Sequence, residues 1–328
     1  MSEKPVISSN GRYTWPVAFL AAVALTSVLA WAFWPRGQHR VSLGGGSGVV
    51  QVVSVSPDGM TIAAAGESPT IRIWDVATNS TRFTLEGHSA KVTGLAFSPD
   101  GQWLATCSFD HSVRLWKVAS GTQATAIDAA KKSVECVAFS PDSKTLASAG
   151  GDTTIQLWSV PDGKPVRVIK RHTRRIQSLA FLPDGKTLAS AGDDGLIQLT
   201  NWHTSAPIGT IATDKHRVRE LAISADGTKI AAALSGTGLR WWNLASRTEL
   251  AKFEAAGGAL AIAFDRSAVR MASAHEDGTV RIWSVVDGGA IRTFKGHHGP
   301  VFGIGFSSDG KALISAGADG TVKVWDLP

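Results

Sequence analysis

The sequence predicts an all-β chain: seven repeated four-stranded units closed into a ring, preceded by one transmembrane α-helix. Three observations predict it. First, the stretch at residues 295–325, KGHHGPVFGIGFSSDGKALISAGADGTVKVW, repeats along the chain. Its terminal position falls at Trp74, Trp116, Trp158, Thr200, Trp242, Trp283 and Trp325, in steps of 42, 42, 42, 42, 41 and 42 residues. So even a period marks a repeat architecture, whose units cannot bury their faces alone. Second, β-branched and aromatic residues alternate with small ones between Ser-Pro-Asp-Gly-type turns, as in strands pressed on both faces. Third, residues 16–34 read PVAFLAAVALTSVLAWAFW without a charge.

The elements follow in order. Residues 1–14 form an N-terminal tail holding Glu3, Lys4 and Arg12. Residues 15–35 form the transmembrane helix. Nineteen residues at about 1.5 Å each span roughly 28 Å, close to a hydrocarbon core of about 30 Å. Tyr13 and Trp15 at one end and Trp31 and Trp34 at the other supply interfacial aromatics. A cleaved secretory signal is the rival reading, with Lys4 and Arg12 as its basic region and Ala30-Trp31-Ala32 as its cleavage site. Arg36 and Arg40 on the far side blunt the charge argument for orientation. Both readings of the segment export the rest of the chain. The expected location is therefore a single-pass membrane protein with its bulk on the periplasmic or extracytoplasmic side.

The repeats fill residues 38–328. In the second unit the strands are expected at 92–97, 103–108, 113–116 and 123–127. Ser98-Pro99-Asp100-Gly101 joins the first pair: Pro sets φ, Asp bonds back to the backbone and Gly accepts a positive φ. Variants of this turn recur at 56–59, 140–143, 182–185, 224–227 and 307–310, and only Asp265-Arg266-Ser267-Ala268 departs from it. The seventh unit lacks a fourth strand after Trp325. Its counterpart stands at the front of the repeats, where residues 39–44 align with 81–86. Residues 38–44 are therefore expected to close the last unit, which removes an exposed sheet edge.

These residues resemble the WD-repeat family of seven-bladed β-propellers, over about residues 38–328. The resemblance implies a buried hydrogen-bond chain of loop His, strand Ser or Thr, turn Asp and strand Trp. It maps to His297, Ser315, Asp319 and Trp325 in the last unit and to His88, Thr106, Asp110 and Trp116 in the second. The fourth keeps His172, Ser190 and Asp194, with Thr200 in place of Trp. The third and sixth keep Ser148, Asp152, Trp158 and Ser273, Asp277, Trp283 without a loop His; the first and fifth keep little beyond Trp74 and Trp242. A buried carboxylate needs donors, which Trp N–H and hydroxyl groups can supply. The set recurs from unit to unit, as a hydrolase triad would not, so these residues are read as structural.

The net charge of +6 is modest for 328 residues. It is unevenly placed. The loops entering the third, fourth and fifth units carry Lys131, Lys132, Lys170, Arg171, Arg174, Arg175, Lys215, Arg217 and Arg219. Homology of position puts them on one face, a field that favours an acidic protein partner. No aromatic platform interleaves them, so nucleic acid is not expected. Cys107 and Cys136 permit one disulfide or none and give no zinc-ligand spacing. No nucleophile elbow, haem-attachment motif or phosphate loop appears, and no cofactor, metal or catalytic residue is expected. The predicted role is a membrane-anchored interaction scaffold: an accessory or assembly subunit of a membrane complex, held to the bilayer by residues 15–35. The alternative is a periplasmic enzyme or small-ligand-binding propeller using its central channel.

Overall fold

Each repeat folds as the alternation dictates, into one antiparallel sheet of four strands. In blade 2 these are Val92–Phe97, Trp103–Ser108, Ser112–Lys117 and Gln123–Asp128. The computed structural model describes residues 39–44, 48–253 and 258–327. They form seven such sheets, and first strands of successive sheets neighbour one another around a central channel. The result is a seven-bladed β-propeller. The expected tail (1–14) and transmembrane helix (15–35) lie outside the described residues. Among the described residues no helix is long and apolar enough to cross a membrane.

The seventh blade is completed from the front of the repeats. Val41–Gly44 pairs antiparallel with Thr321–Asp326, Val41 opposite Val324 and Gly44 opposite Thr321. Arg40 adds a backbone bond to Val324 and an ion pair of 3.3 Å to Asp326.

The core is divided among the seams. Seven apolar clusters are found among the described residues, each built from two adjacent blades. Leu43, for example, packs with Val50 and Ile62 of blade 1 and with Ile314 and Val324 of blade 7. The repeating Trp of each blade faces one seam, and the seam between blades 3 and 4 shows what replaces it. Thr200 stands at the tryptophan position there, and Trp202, two residues on, fills the seam edge-on to Phe181 with centroids 5.6 Å apart. Two residues is one strand period, so the large ring stays on the same face.

The turns between first and second strands share one design. In blade 2 the Ser98 hydroxyl accepts the Trp103 amide at 2.9 Å and donates to Asp100, while Gly101 sits at φ +72°. The departing sequence of blade 6 makes the same backbone turn. Asp265 moves into the serine position, accepts the Val269 and Arg270 amides at 3.1 Å each, and Ala268 takes φ +55°.

Candidate functional site

The His–Asp–hydroxyl sets come first, because they could pass for catalytic groups. In blade 2 the Trp116 indole N–H donates to Thr106 Oγ1 at 3.0 Å. Thr106 Oγ1 lies 2.7 Å from His88 Nε2, and His88 Nδ1 lies 2.8 Å from Asp110. Burial is the largest influence on His88 and lowers its pKa, against the pull of Asp110. The ring is therefore neutral at pH 7. One assignment then satisfies every partner: Trp N–H to Thr, Thr O–H to His, His N–H to Asp. Burial works to raise the Asp110 pKa, but bonds from Ser112, the Ser89 amide and His88 outweigh it and hold the carboxyl below its usual range.

Blade 7 repeats the chain through Trp325, Ser315, His297 and Asp319, with distances of 2.9, 2.7 and 3.0 Å. Blade 4 keeps His172 between Ser190 and Asp194 at 2.8 and 2.9 Å. Its Thr200 hydroxyl, buried where an indole would donate, has no partner. Blade 6 holds a histidine the repeat pattern does not announce. His275, at the end of the second strand, places Nε2 2.7 Å from Ser273, which also accepts the Trp283 indole at 2.7 Å. The signal was Ser-Ala-His where blades 3, 4 and 7 read Ser-Ala-Gly. In all four sets the Ser or Thr is sealed at 0 % exposure, out of reach of any substrate. Among the described residues no group of three or more His, Cys, Asp or Glu is arranged to hold a metal ion. Cys107 and Cys136 are buried free thiols.

In blades 2, 4 and 7 the His–Asp bond joins the entering loop to the turn between second and third strands, so these segments share one face, and the same antiparallel strand order puts the corresponding loops of the other blades there. The basic loops lie on it. Lys131 and Lys132 precede Val134–Phe139, Lys170 to Arg175 precede Ile176–Phe181, and Lys215 and Arg217 precede Val218–Ile223. Lys131, Lys132, Lys170, Arg174, Lys215 and Arg217 are exposed. None of these six forms an ion pair with a described residue. The other three differ. Arg171 is half-buried with its Nε unpartnered, Arg175 pairs with Glu135 of the preceding blade at 3.4 Å, and Arg219 donates from Nε to Ser235 at 2.8 Å.

Arg175 and Arg219 reach instead into the mouth of the central channel, a cavity of about 910 Å³. Its wall has a regular origin. Every first strand carries one β-bulge, and the seven bulged residues are Gln51, Thr93, Glu135, Gln177, Arg219, Leu260 and Phe302. All seven line the channel as one ring. This ring is illegible in the sequence, since a bulge leaves no mark on an alternating run.

Two family models match the chain. The one described as IFT122 first beta-propeller covers residues 49–259, and WD domain, G-beta repeat covers 247–284 and 288–326. The chain belongs to the WD-repeat β-propeller family. No curated protein matches it. A WD-repeat propeller is a typical protein-interaction scaffold, and fold alone assigns no particular partner.

Proposed function

We propose that this WD-repeat propeller is a non-catalytic docking subunit, anchored in a membrane by residues 15–35. It serves as an accessory or assembly component of a membrane complex on the extracytoplasmic side. The observation that carries the docking reading is the set of six exposed cations on three successive inter-blade loops, none of them ion-paired with a described residue. Such a field steers and orients an acidic partner more than it adds raw affinity. Anchoring supports the same reading, because a partner beside the same membrane gains effective concentration. Sealing of the His–Asp–hydroxyl sets inside the blades supports a role without turnover.

The test is a charge reversal, Lys170→Glu, Arg174→Glu, Lys215→Glu and Arg217→Glu together, in the full chain. Partners are recovered from detergent-solubilised membranes and compared with wild type at low and high salt. Recovery should fall at least tenfold, and the wild-type signal should itself weaken with salt. Equal, salt-insensitive recovery would remove the basic face from the account. Release of the full chain from membranes by alkaline carbonate would remove the anchor.

A further inference from the structure

The bulge ring is not uniform around its circumference. Blades 1 to 5 contribute Gln51, Thr93, Glu135, Gln177 and Arg219, all polar, while blades 6 and 7 contribute Leu260 and Phe302. Bulges re-aim side chains and gather next to functional sites. Here they set a polar arc against an apolar one at a single level of the channel. Lys91 and Arg175 add positive charge on the polar side, and Pro300 adds apolar surface beside Phe302. Two strand positions further down, the wall turns apolar, with Val53, Leu95, Val137, Leu179, Leu221 and Ile304. The mouth is thus two-sided at the ring, with an apolar wall beyond it.

Most polar members of the ring are already engaged. Gln51 donates to Glu67 and Gln177 to Asp193, each at 3.2 Å, and Thr93 donates to the Val134 carbonyl at 2.6 Å. Glu135 accepts from Ser133 at 2.8 Å and faces Arg175. The Lys91 ammonium lies 3.9 Å from the centre of the Phe109 ring. Arg219 is the exception. Its Nε is held by Ser235, which fixes the guanidinium plane and leaves the two terminal nitrogens without a described partner. A fork held in this way is suited to a carboxylate or phosphate.

We infer that the channel mouth binds a small organic anion, its carboxylate or phosphate head on Arg219 and its apolar body against Leu260, Phe302 and Pro300. The cavity volume lies within the range of about 300–1,000 Å³ usual for small-molecule sites. Leu260 and Phe302 sit on the two blades that follow Arg219, so head and body have adjacent walls. Two further carboxyls line the cavity. Glu276, exposed on blade 6, keeps a negative head away from that side. Glu220 is turned into the seam between blades 5 and 6, where it accepts the Ile262 amide at 2.8 Å. Burial pushes its pKa up to about 8, so at neutral pH it carries no charge to oppose an anion. None of this depends on the docking role.

The experiment titrates the full chain, in one detergent and at fixed ionic strength, with phenylacetate, phenyl phosphate, acetate and 2-phenylethanol. At least one aryl anion should bind tenfold or more tighter than both acetate and 2-phenylethanol, and the stronger of the two names the head group. Arg219→Gln and, separately, Phe302→Ser should each weaken that binding at least tenfold, while Lys311→Gln on the opposite face leaves it unchanged. The assignment fails if neither aryl anion binds more tightly than both acetate and 2-phenylethanol. It fails equally if Arg219→Gln binds as wild type does, with Phe302→Ser as the independent check on the apolar wall.

Discussion

Thr106 and Thr200 are both fully buried, and their hydroxyls have opposite circumstances. Thr106 links an indole to an imidazole; the Thr200 hydroxyl has no hydrogen-bond partner. Thr106→Val would strand two buried partners, at about 1–3 kcal/mol each. Thr200→Val removes a hydroxyl that is buried without compensation, so it should be neutral or stabilising by up to about 1 kcal/mol. Thermal unfolding of the two variants checks both signs, and equal losses would contradict the assigned bonds. At this scale the sequence was readable wherever the repeat kept its grammar. His88, His172 and His297 stand in their expected loops. Trp202 and His275 were not readable as replacements, because each does a familiar job from an unfamiliar position. Only packing shows that a ring at 202 fills the seam left open by Thr200.

Among the strands, the first of each blade is the most informative. Its boundaries follow from alternation and turn residues; in blade 2 the first two strands begin and end where the pattern places them. Its bulge does not follow, since register is settled by the neighbouring strand. At the bulge or just past it, the blade faces its neighbour, and three seams are stitched there by side chains. Thr93 reaches the Val134 carbonyl, Ser178 accepts the Leu221 amide at 3.0 Å, and Glu220 accepts the Ile262 amide. Glu220 makes its seam sensitive to pH. Burial is the dominant cause of its shift from the ordinary 4.5 to about 8, with the Ile262 amide opposing. Between these values the folded chain holds a proton that the unfolded chain has released. Stability from this group is therefore full below about pH 4.5, falls as pH rises toward 8, and is level beyond it. Glu220→Gln keeps an acceptor for Ile262 and cannot ionise. Its melting temperature should exceed that of wild type increasingly from pH 5 to pH 8, by roughly the linkage slope of one proton. Parallel melting curves across that range would rule out the buried neutral acid.

The whole propeller depends on four residues paired across almost its entire length. Ser42 and Lys323, neighbours in the closing pair, are separated by 281 positions. Seven units and their closure were legible because length, order and turn chemistry recur together, and because residues 39–44 match a strand missing elsewhere. The occupant of the basic face was not legible, since loops record charge without recording what meets it. Leu43, 6 % exposed between blades 7 and 1, is the closing strand's apolar anchor. Leu43→Asp buries an unpaired charge and should destabilise closure by about 3–5 kcal/mol. Hydrogen exchange should then quicken at Thr321–Asp326 while Ser112–Lys117 in blade 2 stays protected. Uniform loss across all blades would show that the ring opens only by unfolding as one body.

That pairing also orders events during synthesis. Val41–Gly44 leaves the ribosome before every blade, yet its hydrogen-bonding edge, Thr321–Asp326, follows the first six blades. Joining them costs about 5 kcal/mol of chain entropy by the logarithmic dependence on loop length. The nascent protein must therefore carry an unsatisfied ribbon until blade 7 has been made, a window in which a chaperone or a second nascent chain can reach it.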